Sequence, residues 1–313
     1  MILDDYVQHR LQTPSARGFW PKPDTVKRDL FALRDWLLWN EERELTGPIR
    51  SAHVIRPLPK QERNEIHTLT AEQEQFILER SRFIFEGCKG LRFPDNRNGR
   101  EVMTQARQTG WERGAFRLYF LLMIRCGLRP AEALHLRWDE VYLDCEPPIL
   151  KLKRIMSEGG DYIRKLKTTK SEDAITIPRY VRPEHRDQWS GPSEGVDLVK
   201  ELREFRGQLK DDGKFGPWVF GREWTPGDVE FPDDAFIWRG LKHETNDPNL
   251  KAYSCRHTVG TRMAARGFSS EEIARVLRNT SRVAERYYIA GTRMRDAFDV
   301  MTGERVQVKL ATG

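Results

Sequence analysis

The longest apolar run in the chain, Leu118 to Ile124, is only seven residues. It lies inside a helix read over Trp111 to Cys126, which Gly127 closes, and Pro130 then opens a short helix through about Leu136. Seven residues fall far short of the ~20 that cross a bilayer. The first residues, MILDDYVQHR, carry two Asp and no basic stretch followed by an apolar one. The sequence therefore predicts neither a membrane span nor a signal peptide. Its 313 residues set a prior of about two domains and leave room for a buried core. With 32% charged and 10% aromatic residues the chain has both a solvated surface and enough apolar mass to fold. Cys88, Cys126, Cys145 and Cys255 show no CxxC spacing, which argues against a zinc ribbon or a redox pair and suits a reducing, cytoplasmic setting.

Residues 1–60 read as a helical module. After Pro21 and Pro23, Val26, Leu30, Leu33 and Leu37 recur at three- and four-residue spacing within Thr25 to Glu44, as an amphipathic helix requires. Three prolines between Gly47 and Pro59 end the module, and 61–68 reads as a linker. Thr70 with Gln73 has the form of a capping box opening a helix to about Phe85, so a second domain is read over 69–301, with a tail at 302–313. Gly87 to Gly110 reads as an exposed loop. Ile149 to Met156, Tyr162 to Leu166 and Ala174 to Pro178 read as three antiparallel strands. Further helices are expected at about 196–209, 234–243, 255–266, 270–278 and 293–301. The expected fold class is mainly α with a small antiparallel β-sheet.

The net charge is +6, and all of the excess falls in residues 251–313, where 12 Lys and Arg face 6 Asp and Glu. A local basic surplus is the footprint of a polyanion partner, and equally of a solvated helix face. There is no GxxxxGK[ST], no GxGxxG after a predicted strand, no HExxH and no GxSxG, so nucleotide-driven, zinc-protease and serine-hydrolase chemistry have no anchor. His135 and His185 have no partners at metal-ligand spacing and read as packing or surface residues. No metal and no cofactor is expected.

Cys126 to Asp144 (CGLRPAEALHLRWDEVYLD) resembles the first-arginine box of the tyrosine recombinases, the phage-type integrases. Ala252 to Ala290 (AYSCRHTVGTRMAARGFSSEEIARVLRNTSRVAERYYIA) resembles the second box with its tyrosine, and Lys165 to Pro178 (KLKTTKSEDAITIP) the hairpin lysine region between them. Less specifically, Thr25 to Pro59 is similar to the family's helical, SAM-like core-binding domain. The resemblance implies site-specific cleavage and rejoining of double-stranded DNA through a 3′-phosphotyrosine, by a homotetramer on two duplexes that is nucleoid-associated when bound. A DNA-binding protein that kept the fold but lost turnover, and a type IB topoisomerase-like enzyme, are the alternatives.

The chemistry agrees with those boxes. Attack of a hydroxyl on a phosphodiester builds charge on the non-bridging oxygens, and guanidinium groups offer fixed positive charge in a fork that matches two oxygens. The resemblance gives this role to Arg129 and Arg256, with Glu132 as a support. A phenol is the nucleophile, and Tyr287 and Tyr288 compete for the role; the family spacing, counted from the Leu277-Arg278-Asn279 triplet, favours Tyr288. Lys167, with Lys170 second, takes the place of the acid that protonates the leaving oxygen. Two departures stand out. Tyr253 occupies the position of the family histidine three residues before the second arginine, and Asn279 that of the triplet histidine, with Arg278 in place of its glycine. His257 follows Arg256 on the wrong side to replace the first. Tyr253 and Asn279 retain hydrogen-bonding capacity and are included in the expected site.

Overall fold

The computed structural model describes residues 2–14, 20–45, 66–84, 89–94, 101–105, 110–152, 155–156, 163–164, 174–188, 190–225 and 228–289. The chain divides into two compact units, Met1–Glu65 and Ile66–Gly313.

In the first unit, α1 (Ile2–Gln12) packs on α2 (Pro23–Glu42) through Val7, Leu11, Val26 and Leu30. Arg10 Nε and the Tyr6 hydroxyl both donate to Asp29 across this pair, each at 3.3 Å. Pro23 stands at the start of α2, where its missing N–H costs nothing. The sequence did not predict α1, whose polar composition yields little periodicity.

The second unit is built around α4 (Ala115–Cys126), buried at every position. Its aromatic end meets Trp111 and Phe220, with Trp111 against Phe116 and Tyr119 at 5.3 Å between ring centres. Two arginines on this buried helix are satisfied: Arg117 pairs with Glu201, and Arg125 donates to the main-chain oxygens of Ser193, Val196 and Arg179. The helices α3 (Ala71–Arg80), α6 (Leu198–Asp211), α7 (Asp234–Glu244) and α8 (Ala252–Ala265) complete the main core. The capping box at Thr70 is present, with Gln73 N donating to Thr70 Oγ1 and Thr70 N to Gln73 Oε1. A second cluster gathers α9 (Ser270–Leu277), α10 (Ser281–Ala284) and a turn of π-helix, Glu285–Ile289, against the α8 residues Val259, Met263 and Ala264.

The strands differ from the sequence reading. Lys89–Pro94 (β1) and Glu101–Gln105 (β2) form an antiparallel hairpin inside the stretch read as a loop, and β1 lies against α7. The three-stranded antiparallel sheet runs in the order β3 (Val141–Tyr142), β4 (Ile149–Leu150), β7 (Ile175–Thr176). One of its edges is thus Val141–Tyr142, while Ile155–Met156 (β5) pairs with Ile163–Arg164 (β6) as a separate hairpin. A further hairpin, β8 (Arg222–Thr225) with β9 (Asp228–Glu230), falls in a predicted loop. Strands of two or three residues carry no alternation to read. The helix expected at 293–301 and the tail lie outside the described residues.

Candidate active site

Arg129 stands immediately before Pro130 and caps the short helix α5 (Pro130–Leu134). Glu132 in the first turn accepts from the Arg129 backbone N at 2.8 Å and from its guanidinium at 2.5 Å. Arg278, at the C-cap of α9, reaches back to the same carboxylate and donates to the oxygen that also accepts from the Arg129 backbone N. Burial pushes the Glu132 carboxyl up, but Arg278 and Arg129 outweigh it and hold it below the ordinary carboxylate value. Glu132 is therefore an anion shared by two arginines. Arg278 adopts φ 50, the left-handed region.

Arg256, on the first turns of α8, has no exposed surface. Its Nη1 donates to Gly127 O at 2.5 Å and its Nη2 to Leu277 O, tying the end of α4 to the end of α9, while its Nε is buried without a partner. Gly127 lets these ends meet: its φ is +62, and a Cβ there would stand 2.6 Å from Leu277 Cδ2. Burial and the neighbouring Arg129 charge bring the Arg256 guanidinium down to about 10, still protonated at neutral pH.

Asn279 joins the two arginines. Its Oδ1 accepts from Arg129 Nη2 at 3.1 Å and from Arg256 Nη2 at 3.0 Å. Arginine offers no acceptor, so the carboxamide has one orientation, with Nδ2 turned away from both guanidiniums as a donor. Tyr253, 37% exposed, lies beside Arg129, whose side chain is itself 30% exposed.

Tyr288 sits on the π-turn with its residue 4% exposed, whereas Tyr287 is 43% exposed beside Arg286. The Tyr288 ring lies on α8 at Gly260, where a Cβ would stand 2.7 Å from it. Its hydroxyl is 3.2 Å from His257 Nδ1. Burial pushes the phenol up to about 12 against the pull of Arg256 and Arg129.

Solved structures share this architecture. The integrase of the Tn1549 transposon, in complex with transposon right end DNA, aligns over 94% of this chain and 84% of its own, with a TM-score of 0.56 and 14% identity. The XerH site-specific recombinase, bound to palindromic difH substrate in a post-cleavage complex, aligns over 96% and 69%, at 0.56 and 13%. A lambda integrase dimer bound to a COC′ core site aligns over 91% and 76%, at 0.50 and 13%. This chain has the tyrosine-recombinase fold. No protein-family model and no curated protein matches it in sequence.

Within the recombinase fold, Arg129, Arg256, Asn279 and Tyr253 come together, and the ring of Tyr288 packs against helix α8, which carries Arg256. Lys167 and Lys170 lie outside the described residues. Among the described residues no three His, Cys, Asp or Glu side chains group as a metal site. His135 packs edge-on against Phe231 at 4.5 Å and His185 is on the surface. The sequence sets His257 aside as on the wrong side of Arg256 to replace the family histidine, but the structure brings its Nδ1 to the Tyr288 hydroxyl, a contact that reading missed. Its signal was Gly260, three residues further along the same helical face, since a glycine inside a helix asks what lies against it.

Proposed function

We propose that this chain is a site-specific DNA recombinase that breaks and rejoins strands through a 3′-phosphotyrosine on Tyr288. The observation that carries the reading is the sharing of one Asn279 oxygen by Arg129 and Arg256, which stand 127 positions apart in the sequence. Two guanidiniums held side by side are costly unless an anion answers them, and Glu132 supplies that charge from behind. On the open side, the partly exposed Arg129, the Asn279 amide and the Tyr253 hydroxyl are donors for a phosphodiester, with the buried Arg256 adding fixed charge. Such donors stabilise the five-coordinate phosphorus most, because negative charge grows on its oxygens as the phenol attacks. Lys167 is assigned the protonation of the leaving 5′ oxygen. The energy of the broken bond is kept in the phosphotyrosine, so rejoining needs no ATP. The solved relatives in fold were determined on DNA, which supports a duplex as substrate; a homotetramer on two duplexes is part of the proposal.

Nicked duplexes tiled across the DNA flanking the gene, followed by denaturing electrophoresis, test it. The parent and Tyr287→Phe should yield a denaturation-resistant adduct, and Tyr288→Phe none, with DNA affinity unchanged in both. Adduct from Tyr288→Phe but not from Tyr287→Phe would move the nucleophile by one residue. Binding without any adduct would leave a DNA-binding protein in place of an enzyme.

A further inference from the structure

Three positions on one face of α8 surround the Tyr288 phenol and its neighbour. Tyr253 and His257 are four residues apart, with ring centres 5.2 Å apart, and Gly260 is three residues beyond His257, under the Tyr288 ring. The imidazole of His257 and the ring of Tyr288 are 6.0 Å between centres, and the Nδ1 to hydroxyl distance is 3.2 Å. The groups that face His257 are Tyr288 from the π-turn, Lys251, Tyr253 and Arg256 from the start of α8, and His67 from the segment before α3.

We propose that His257 is the catalytic acceptor of the Tyr288 phenolic proton, an inference that rests on the recombinase reading above. As the Tyr288 oxygen forms its bond to phosphorus, its O–H bond breaks and the proton passes to Nδ1, with Nε2 carrying the hydrogen of the neutral imidazole. The bond from phosphorus to the 5′ oxygen breaks, and that oxygen keeps the electron pair and takes a proton from Lys167. In rejoining, the 5′ hydroxyl attacks the phosphotyrosine and the departing phenolate recovers its proton from His257.

In the DNA-free site the electrostatics set the starting protonation and oppose the transfer, which turns favourable as the Tyr288 oxygen bonds phosphorus and its proton grows acidic. Burial, then the charges of Lys251, Arg256 and His67, bring His257 down to about 4, so the ring is neutral at neutral pH, and in the tautomer with the hydrogen on Nε2 its Nδ1 accepts from the phenol. The phenol, pushed up to about 12, still carries its proton there and must lose it to attack. A bound phosphodiester brings a negative charge beside the imidazole, which offsets the cations that disfavour its protonation.

The test uses the full chain and one DNA duplex that gives adduct with the parent, made with oxygen or with sulfur at the bridging 5′ position of the scissile phosphate. A thiolate leaves without needing a proton, so sulfur rescues a defect in the leaving-group acid but not one on the attacking side. His257→Ala and His257→Asn should each slow adduct formation about 100-fold on both substrates, the range expected for a lost general base. DNA affinity should stay within about twofold of the parent, and Lys167→Ala should recover on sulfur. His257→Asn keeps an amide able to hydrogen-bond the phenol yet unable to take its proton, so its defect reports proton uptake rather than packing. Parental rates in His257→Asn on the oxygen substrate, or rescue of either variant by sulfur, would overturn the assignment while leaving the recombinase reading intact. Failure of the parent to form adduct on any duplex would remove both.

Discussion

Arg278 occupies a backbone conformation that disfavours side chains by about 1–2 kcal/mol, at a position where the resembling family has glycine. Its guanidinium meets Glu132, and both side chains are almost wholly buried. Breaking a buried pair of this kind costs about 3–5 kcal/mol. Arg278→Gly therefore relieves the strain and still destabilises the fold, by a net amount of about 1–4 kcal/mol in denaturant unfolding. An unchanged midpoint would mean that Arg129 alone satisfies the carboxylate. At this scale the sequence shows the departures at Arg278, Asn279 and Tyr253 but not what replaces the lost contacts. The Arg278 to Glu132 pair spans 146 positions, and no local spacing encodes it. Glu132 was legible as a support because one of its two partners, Arg129, is one turn away.

Among the elements, α8 carries the site, and Gly260 is where the nucleophile rests on it. Alanine is the better helix former by about 1 kcal/mol, so Gly260→Ala favours the helix while its methyl displaces the Tyr288 ring. The expected outcome is normal DNA affinity with adduct formation slowed at least about tenfold, since a shift of the reacting atom by about 1 Å can cost 10²-fold. Gel-shift and adduct assays on the same preparation measure both, and a parental rate would show that the ring has another seat. Long helices were readable because their periodicity is sustained over several turns, as in α2 and α6, and because Gly127, Pro130 and Thr70 mark ends by known backbone rules. The β1–β2 hairpin was not, because its glycines and prolines spell a loop and its pairing slips at a bulge between Lys89 and Arg92. The sheet was expected in kind, yet its membership depended on partners that two-residue strands do not announce.

For the whole molecule, the division at Glu65 and Ile66 separates a two-helix unit, among the described residues, from the unit that carries every described residue of the site. The positive charge that the proposed chemistry needs comes from side chains, chiefly Arg129 and Arg256, which stay protonated across the working range. Adduct yield should therefore remain within about twofold when magnesium is replaced by EDTA. Loss of cleavage on chelation, restored by magnesium, would overturn an arginine-based mechanism.

The Asn279 bridge has a consequence for how the site responds to its surroundings. An imidazole in that place would gain or lose a proton near neutrality, and the link between the two guanidiniums would weaken each time it became cationic. A carboxamide has no such equilibrium, so its oxygen holds Arg129 and Arg256 together, and its N–H groups remain donors, in acidified and alkaline surroundings alike.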